Sequence, residues 1–592
     1  MFGNLFKNRN ELSIFEEEQV ESPFKTMVNS YLGNAVAMTA LSIFLLIFLI
    51  VIIGPIFVPI DLSFIETTQE NVPPGLDMMD FPKELDGNVE QIAIGPTFSV
   101  GLDQDGQVYV WGKSKITNTI DIRDIPEGMG QVVRVAAGTD HVIALNSEGE
   151  LFTWGSNRQQ QGTIPYALEF VNNIKDIYAG YQSSAVLTED GMVHFFGNIM
   201  NNDYNEFHQH QGNIQELALT ADAVVGLTYD GEVVYLGTQQ NSYARIPENM
   251  GNVVKIAATS ATVSAINDQG ELFIWGNITR AKGEGSIPEF DGKLVSVQGG
   301  RYHYSALSED GKAYAWGADY YNQGSVPSKI NQNKIVEIYS GYNQNYAVTE
   351  DGSIETWGLK GYPLGSDNLG RDIFARLLNG GRMSMTIGAV AVIIATVIGV
   401  IVGGISGYFG GKVDMVLQRV SEIIGSLPFL PFVMILSPLI GNALTSMQRV
   451  YLIMVILGLL SWTGLQRLVR AQVLSVREQE YVTAAKALGV KQGNIVFKHI
   501  LPNVVSVIIV HATLNFATSM LTEATLSFLG FGVQPPIPTW GNMLFGANDS
   551  IVIQNFWWRW VYVAAVLAVC VVSVNLIGDG LRDAIDPKSQ ER

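Results

Sequence analysis

The chain carries a single cysteine, Cys570, in 592 residues, which excludes an intrachain disulfide framework. Set in an apolar run, Cys570 reads as a buried, inert thiol. Positive charge is scarce as well: 36 Lys and Arg stand against 56 Asp and Glu, a formal net charge of -20. Residues 61–360 alone sum to about -22, so the rest of the chain holds a small positive excess. An acidic middle argues against nucleic acid as its partner, because polyanions are held by Lys and Arg. An acceptable phosphate-binding loop is also missing. "GQVYVWGKS" (Gly106–Ser114) comes near one, but it has one residue too many between its glycines and reads as strand, which cannot wrap a phosphate.

What the middle does contain is repetition. "LDQDGQVYVWG", "LNSEGELFTWG", "LTEDGMVHFFG", "LTYDGEVVYLG", "INDQGELFIWG", "LSEDGKAYAWG" and "VTEDGSIETWG" follow one another, with turn glycines at Gly106, Gly149, Gly191, Gly231, Gly270, Gly311 and Gly352. Asp-Gly or Glu-Gly between alternating apolar runs signals a hairpin, since glycine accepts the positive φ of such turns. A further short strand, such as "VVRVAAG" or "IVEIYSG", precedes each hairpin. A period near forty with several strands per unit predicts a β-propeller, here of seven blades over residues 86–360, preceded by a linker at 61–85. The rhythm resembles the regulator-of-chromosome-condensation repeat family, although Phe196 and Leu236 replace the tryptophan in units three and four. Closing the ring brings the chain ends together, so such a domain fits into a loop of another protein. "DYNEFHQH" (Asp203–His210) offers two carboxylates and two histidines within metal-ligating reach, but reads more readily as a solvated loop.

Outside the repeats, the chain turns apolar. Residues 35–60 exceed the roughly 20 residues needed to cross a bilayer and predict a first span, following an N-terminal segment at 1–34. Further runs at Met383–Phe409, Ile423–Gly441, Val450–Leu465, Val504–Gly532 and Trp560–Gly578 bring the expected number to six. Pro428, Pro431 and Pro438 interrupt the third. Arg467, Arg470, Arg477, Lys486, Lys491 and Lys498 place the segment at 466–503 inside, which puts both termini inside and the propeller outside. Within that segment, "EYVTAAKALGV" predicts a short helix ended by Gly489.

The separation of Ala484, Ala485, Gly489, Leu501 and Pro502 resembles the coupling loop of ABC importer permeases, and "EYVTAAKALGV…KHILPN" is similar to the dipeptide/oligopeptide/nickel permease family in particular. "LGSDNLGRDIFARLLNGGRMS", "GYFGGKVD" and "EATLSFLGFGVQPPIPTWGNML" match the same family, with residues 361–382 as its segment ahead of the second span and 383–592 as its five-helix core. The resemblance implies an ATP-driven, binding-protein-dependent importer of di- or oligopeptides, with a propeller inserted into an outside loop. This chain would be a permease subunit and no enzyme. A second permease subunit, two ABC ATPases holding ATP and Mg, and an extracytoplasmic binding protein would complete it in a prokaryotic cell membrane. It implies ATPase-coupling roles for Glu480, Thr483, Ala484, Ala485, Lys486, Ala487, Leu488, Gly489, His499, Leu501 and Pro502. Gly365, Asp367, Gly370, Arg371, Asp372, Arg376 and Arg382 would form an outer-mouth motif, and His511 and Glu523 would line the pathway or be satisfied between helices. Nickel or another small solute is the alternative cargo. A membrane-anchored propeller receptor or adhesin is the alternative class. For the propeller, the tyrosines of "RYHYS", "DYYNQG" and "GYNQNY" suggest docking of the binding protein or capture of substrate, unless they serve packing alone.

Overall fold

Each of the seven repeats folds into an antiparallel sheet of three strands in sequence order, the first being Val89–Ile94, Phe98–Asp103 and Val108–Gly112. The seven hairpin glycines all adopt φ between 76 and 84°, as their turns require. The computed structural model describes residues 23–117, 119–198, 208–237, 242–441 and 444–585, and the chain separates into two compact units. One is Glu66–Arg371; the other joins Met1–Ile65 to Asp372–Arg592.

In the first unit, consecutive sheets pack side by side and the first packs on the seventh, so the seven close into a ring. The tryptophan rhythm has a hydrogen-bonding reason. Trp154, Trp275 and Trp316 are buried and donate Nε1–H to the carbonyls of Ile122, Tyr243 and Glu284, each 32 residues upstream in the preceding connection. Trp357 binds the Gln323 carbonyl likewise. Phe196 and Leu236 keep the burial without that bond. Trp111, in the first sheet, instead donates to the Tyr346 hydroxyl at 2.9 Å and so closes the ring onto the seventh sheet. Tyr304 and Tyr346, from the tyrosine-rich segments, are fully buried in this packing; Tyr320 is exposed.

The chain segments entering and leaving the ring pair with each other. Glu66 N–H donates to Leu369 O, Asn71 to Asp367 O, Gly75 to Tyr362 O and Met78 to Lys360 O. These bonds form a stem at the base of the unit.

The second unit is helical: α1 (Pro23–Gly33), α2 (Ala35–Phe57), α3 (Ile373–Phe409), α4 (Gly411–Gly425), α5 (Phe429–Gly441), α6 (Ser446–Val476), α7 (Glu480–Ala487), α8 (Leu501–Phe528), α9 (Trp540–Met543), α10 (Ser550–Asn555) and α11 (Trp558–Ile585). Among the described residues five helices are long and apolar enough to cross a membrane, and α4 with α5 makes a sixth if that pair, bent by 69°, is one span. The third expected run, Ile423–Gly441, is therefore not one straight helix, and its break falls at Ser426–Pro428. The helix α6 stays helical through Val476 and so enters the segment at 466–503. Glycines set the close approach of α3 to α6. A Cβ on Gly403 of α3 would lie 2.7 Å from Gln466 O of α6, and one on Gly407 would lie 2.8 Å from Arg470 O. Small residues at this spacing let two backbones approach in lipid, where dispersion replaces the hydrophobic effect as the driving force.

Candidate functional site

Eight residues, Glu480–Ala487, form α7, the short helix between the long helices α6 and α8. Leu488 continues it as C-cap, and Gly489 ends it with φ of +74°, a conformation that costs glycine nothing. Val482 and Ala485 face inward, joining a cluster with Leu465, Val469 and Val473 of α6 and with Ile495, Ile500 and Val504. The opposite face presents Glu480, Thr483, Ala484, Lys486, Ala487 and Leu488 to solvent, with Leu488 83% exposed. So Ala485, expected at the partner contact, is turned inward and seats the helix on its base, while Ala484 is open.

The seat is reinforced from three sides. Lys486 Nζ lies 5.5 Å above the Tyr408 ring, and Arg477 Nη1 donates to Gly407 O at 3.0 Å. Asn503 Nδ2 donates to the Tyr481 hydroxyl and to the His499 carbonyl. Pro502 sits exposed in the first turn of α8, and Leu501 is half-buried beside it.

Behind this surface lies a contact that sequence reasoning missed. Asp414 of α4 receives Arg470 of α6 on both oxygens, Nε at 2.6 Å and Nη2 at 2.5 Å, and also accepts from Ser406 Oγ. Such a two-pronged pair is among the stronger polar contacts available to side chains. The signal was present: Asp414 is the acidic residue of "GYFGGKVD", set just beyond the long apolar run that ends at Phe409.

Glu523 is fully buried in α8. Its Oε2 accepts from Ser384 Oγ of α3 at 2.9 Å, its Oε1 from Ser527 Oγ at 2.7 Å. Ser384 Oγ in turn accepts the Trp540 N–H, and Trp540 Nε1 donates to Leu377 O. The motif "EATLSFLGFGVQPPIPTWGNML" thus ties the end of α8 and α9 to α3, and Glu523 is the satisfied centre of that tie. His511 is half-buried, with Nδ1 unpartnered among the described residues and Nε2 facing Gly464 of α6.

The expected outer-mouth residues divide between the units. Asp367 and Arg371 form an ion pair in the stem, 2.7 Å from Nη2 to Oδ2, on a turn shaped by Gly365 and Gly370. Asp372 caps α3 by accepting the Phe374 N–H, Arg376 is buried within α3, and Arg382 is exposed. Residues 203–207 of the loop considered for metal lie outside the described residues, and among the described residues no three metal-ligating side chains converge.

Comparison with known proteins agrees with this division. Residues 395–591 match the family described as the binding-protein-dependent transport system inner membrane component, and residues 22–74 match the N-terminal TM domain of oligopeptide transport permease C. Residues 89–115, 132–161 and 294–323 match the regulator of chromosome condensation (RCC1) repeat. A putative peptide permease of Brucella ovis is 40% identical over 226 residues, 38% of this chain and 73% of its own. The oligopeptide transport permease OppC of Haemophilus influenzae is 41% identical over 226 residues, covering 38% and 70%. The dipeptide transport permease DppC of Bacillus subtilis is 41% identical over 226 residues, covering 38% and 68%. A multi-pass helical unit with the α7 seat, these family matches on both sides of the ring and these relatives together show that the chain belongs to the binding-protein-dependent permease family, in its peptide-permease branch, and carries an RCC1-type propeller within it.

Proposed function

We propose that this protein is the membrane-spanning subunit of an ATP-driven importer of di- or oligopeptides, and that α7 is its coupling helix. One observation carries the reading: α7 is a short helix of small residues whose inner face, Val482 and Ala485, is locked to the ends of α6 and α8. A push on its exposed face at Thr483, Ala484, Ala487 and Leu488 would pass directly into two long helices. The push would come from two ATPase subunits that hold ATP and Mg. A second permease subunit would complete the conduit, and an extracytoplasmic binding protein would deliver the peptide. In this reading both termini and α7 lie on the cytoplasmic side of a prokaryotic cell membrane, and the propeller lies outside it, docking the binding protein or capturing substrate. His511, with an unsatisfied ring nitrogen in a membrane helix, is the polar residue we assign to the pathway; Glu523 serves as a tie between helices.

Because Cys570 is buried, a cysteine introduced on α7 is chemically distinguishable. Ala484→Cys and Ala487→Cys in the assembled complex are expected to cross-link to an ATPase subunit, and Ala484→Arg to lower peptide uptake at least tenfold. Labelling of these cysteines by an impermeant reagent from outside intact cells would refute the reading.

A further inference from the structure

The helix α8 lies within the candidate span Gln492–Phe528 and has one face that its neighbours leave open. Phe516 and Met520 pack on Gly388 of α3, Glu523 binds Ser384, Leu514 meets Gly578 of α11, and Val504 enters the cluster beneath α7. The face left open beyond that cluster carries His511, Asn515, Thr518, Thr522 and Thr525, at successive steps of four, three, four and three residues. Such steps keep five side chains on one side of a helix, here along about 21 Å of a hydrocarbon layer roughly 30 Å thick. Thr518 and Thr525 are exposed, and the other three are half-buried.

Open faces on other long helices are apolar: Ile393, Val397, Ile401 and Ile405 on α3, Val569 and Val572 on α11. Those faces suit lipid, and that of α8 does not. Its threonines return their hydroxyl protons to the carbonyls of Leu514, Thr518 and Leu521, four residues back, and in that state tolerate hydrocarbon. His511 and Asn515 have no such recourse. Among the described residues the His511 Nδ1 is unpartnered and the Asn515 carboxamide forms no hydrogen bond, a costly state for polar groups facing lipid. Helix contacts within this unit are also built otherwise: α3 meets α6 through glycines and Val469, and meets α8 through one polar tie at Glu523. Beside His511, α6 presents the exposed Gly464, whose missing side chain leaves room next to the ring. The stripe holds no carboxylate and no fixed cation, but carboxamide and hydroxyl groups both donate and accept. That pattern matches the N–H and C=O of a peptide bond. It does not match a divalent metal ion, which asks for several ligands at once, and among the described residues no three metal-ligating side chains converge.

We propose that the open face of α8 forms one wall of the solute path, and that Asn515 and His511 there bond to the backbone of a peptide cargo, which excludes nickel as the solute. The assignment rests on the transport reading and names the chemistry of its cargo. The test uses the assembled importer in membrane vesicles, with trialanine and nickel chloride as probes and a permanently charged methanethiosulfonate as thiol reagent. The buried Cys570 does not compete for it. Asn515→Cys and Thr522→Cys are expected to be labelled, at least threefold more slowly with trialanine and at an unchanged rate with nickel. Val397→Cys and Val569→Cys, on apolar faces, should stay unlabelled. Asn515→Leu is expected to lower trialanine uptake at least tenfold, and Asn515→Gln to retain most of it. No labelling at 515 and 522, equal labelling at 397 and 569, protection by nickel in place of trialanine, or full uptake by Asn515→Leu would each overturn the proposal. Where Asn515→Leu does not assemble, labelling and its protection decide. Unlabelled positions 515 and 522 with Ala484→Cys still cross-linked to an ATPase would sink this assignment alone, whereas loss of that cross-link would count against the transport reading.

Discussion

Val72 and Ser366, 294 residues apart in sequence, hold each other by two hydrogen bonds: Val72 N–H donates to Ser366 Oγ at 2.7 Å, and Ser366 N–H donates to Val72 O at 2.9 Å. Ser366 Oγ also donates to the Gln69 carbonyl. The pair locks the stem through which the ring joins the rest of the chain. It places the start and finish of a 300-residue excursion side by side, so the propeller fits between two segments of a permease without stretching either.

Ser366→Ala removes one partner from each of two buried backbone groups, and the expected loss is about 1–3 kcal/mol in the Glu66–Arg371 unit. Gly370→Ala should cost more, because its φ is +70° and a Cβ would overlap the Glu66 carbonyl. Hydrogen exchange of the stem amides in the full chain reads both; unchanged protection in Gly370→Ala would contradict the stem.

Gly403 and Gly404 are neighbours on α3 with opposite surroundings. A Cβ on Gly403 would press on Gln466 O and Val469, while one on Gly404 would meet nothing within 4 Å. Gly403→Ala is expected to destabilise the helical unit by about 1–3 kcal/mol through overpacking, and Gly404→Ala to be neutral or slightly stabilising. Unfolding midpoints in detergent decide between this contrast and equal effects.

For the Asp414–Arg470 clasp, Asp414→Asn leaves the guanidinium without its carboxylate, at an expected cost of roughly 1.5–3 kcal/mol. Arg470→Lys keeps the charge but offers no planar fork, so it should recover only part of that loss. If lysine restored full stability and uptake, the two-pronged geometry would be irrelevant.

His303 is buried in the sixth sheet, where desolvation holds its imidazole down, to about 4, against the partial help of Asn345 at 2.9 Å. The unfolded chain, with an ordinary value near 6.5, binds a proton that the folded one refuses. The stability from this group is therefore whole above pH 6.5 and falls as pH drops toward 4, by on the order of 3 kcal/mol. The raised carboxyls of Asp176, Glu216 and Glu337 act in the opposite direction, losing stability as pH rises through their folded values. The difference between His303→Gln and the unaltered chain isolates the histidine. That difference should shrink as pH falls from 6.5 to 4, read by urea unfolding of the propeller, and a constant difference would refute the assignment.

The hairpins were legible because their cause is local: Asp-Gly turns, alternation and a recurring tryptophan lie within eleven residues of one another. The same holds for α7, whose small helix-formers and stopping glycine span ten. The bend between α4 and α5 was signalled by proline, but its position was not. Which alanine of α7 faces inward could not be read, since Ala484 and Ala485 are the same residue type and differ only in which one falls beside Val469 and Val504.

Sequence alone determined the ring of repeated sheets, the apolar helices and the family segments, because periodicity and hydropathy act over short stretches of chain. Tertiary structure decided that Glu523 is satisfied by Ser384 from 139 residues away, that Asp414 answers Arg470, and that the first strands of the seven sheets surround a central cavity. Those outcomes depend on which distant polar groups burial forces to meet, and no local pattern records that choice.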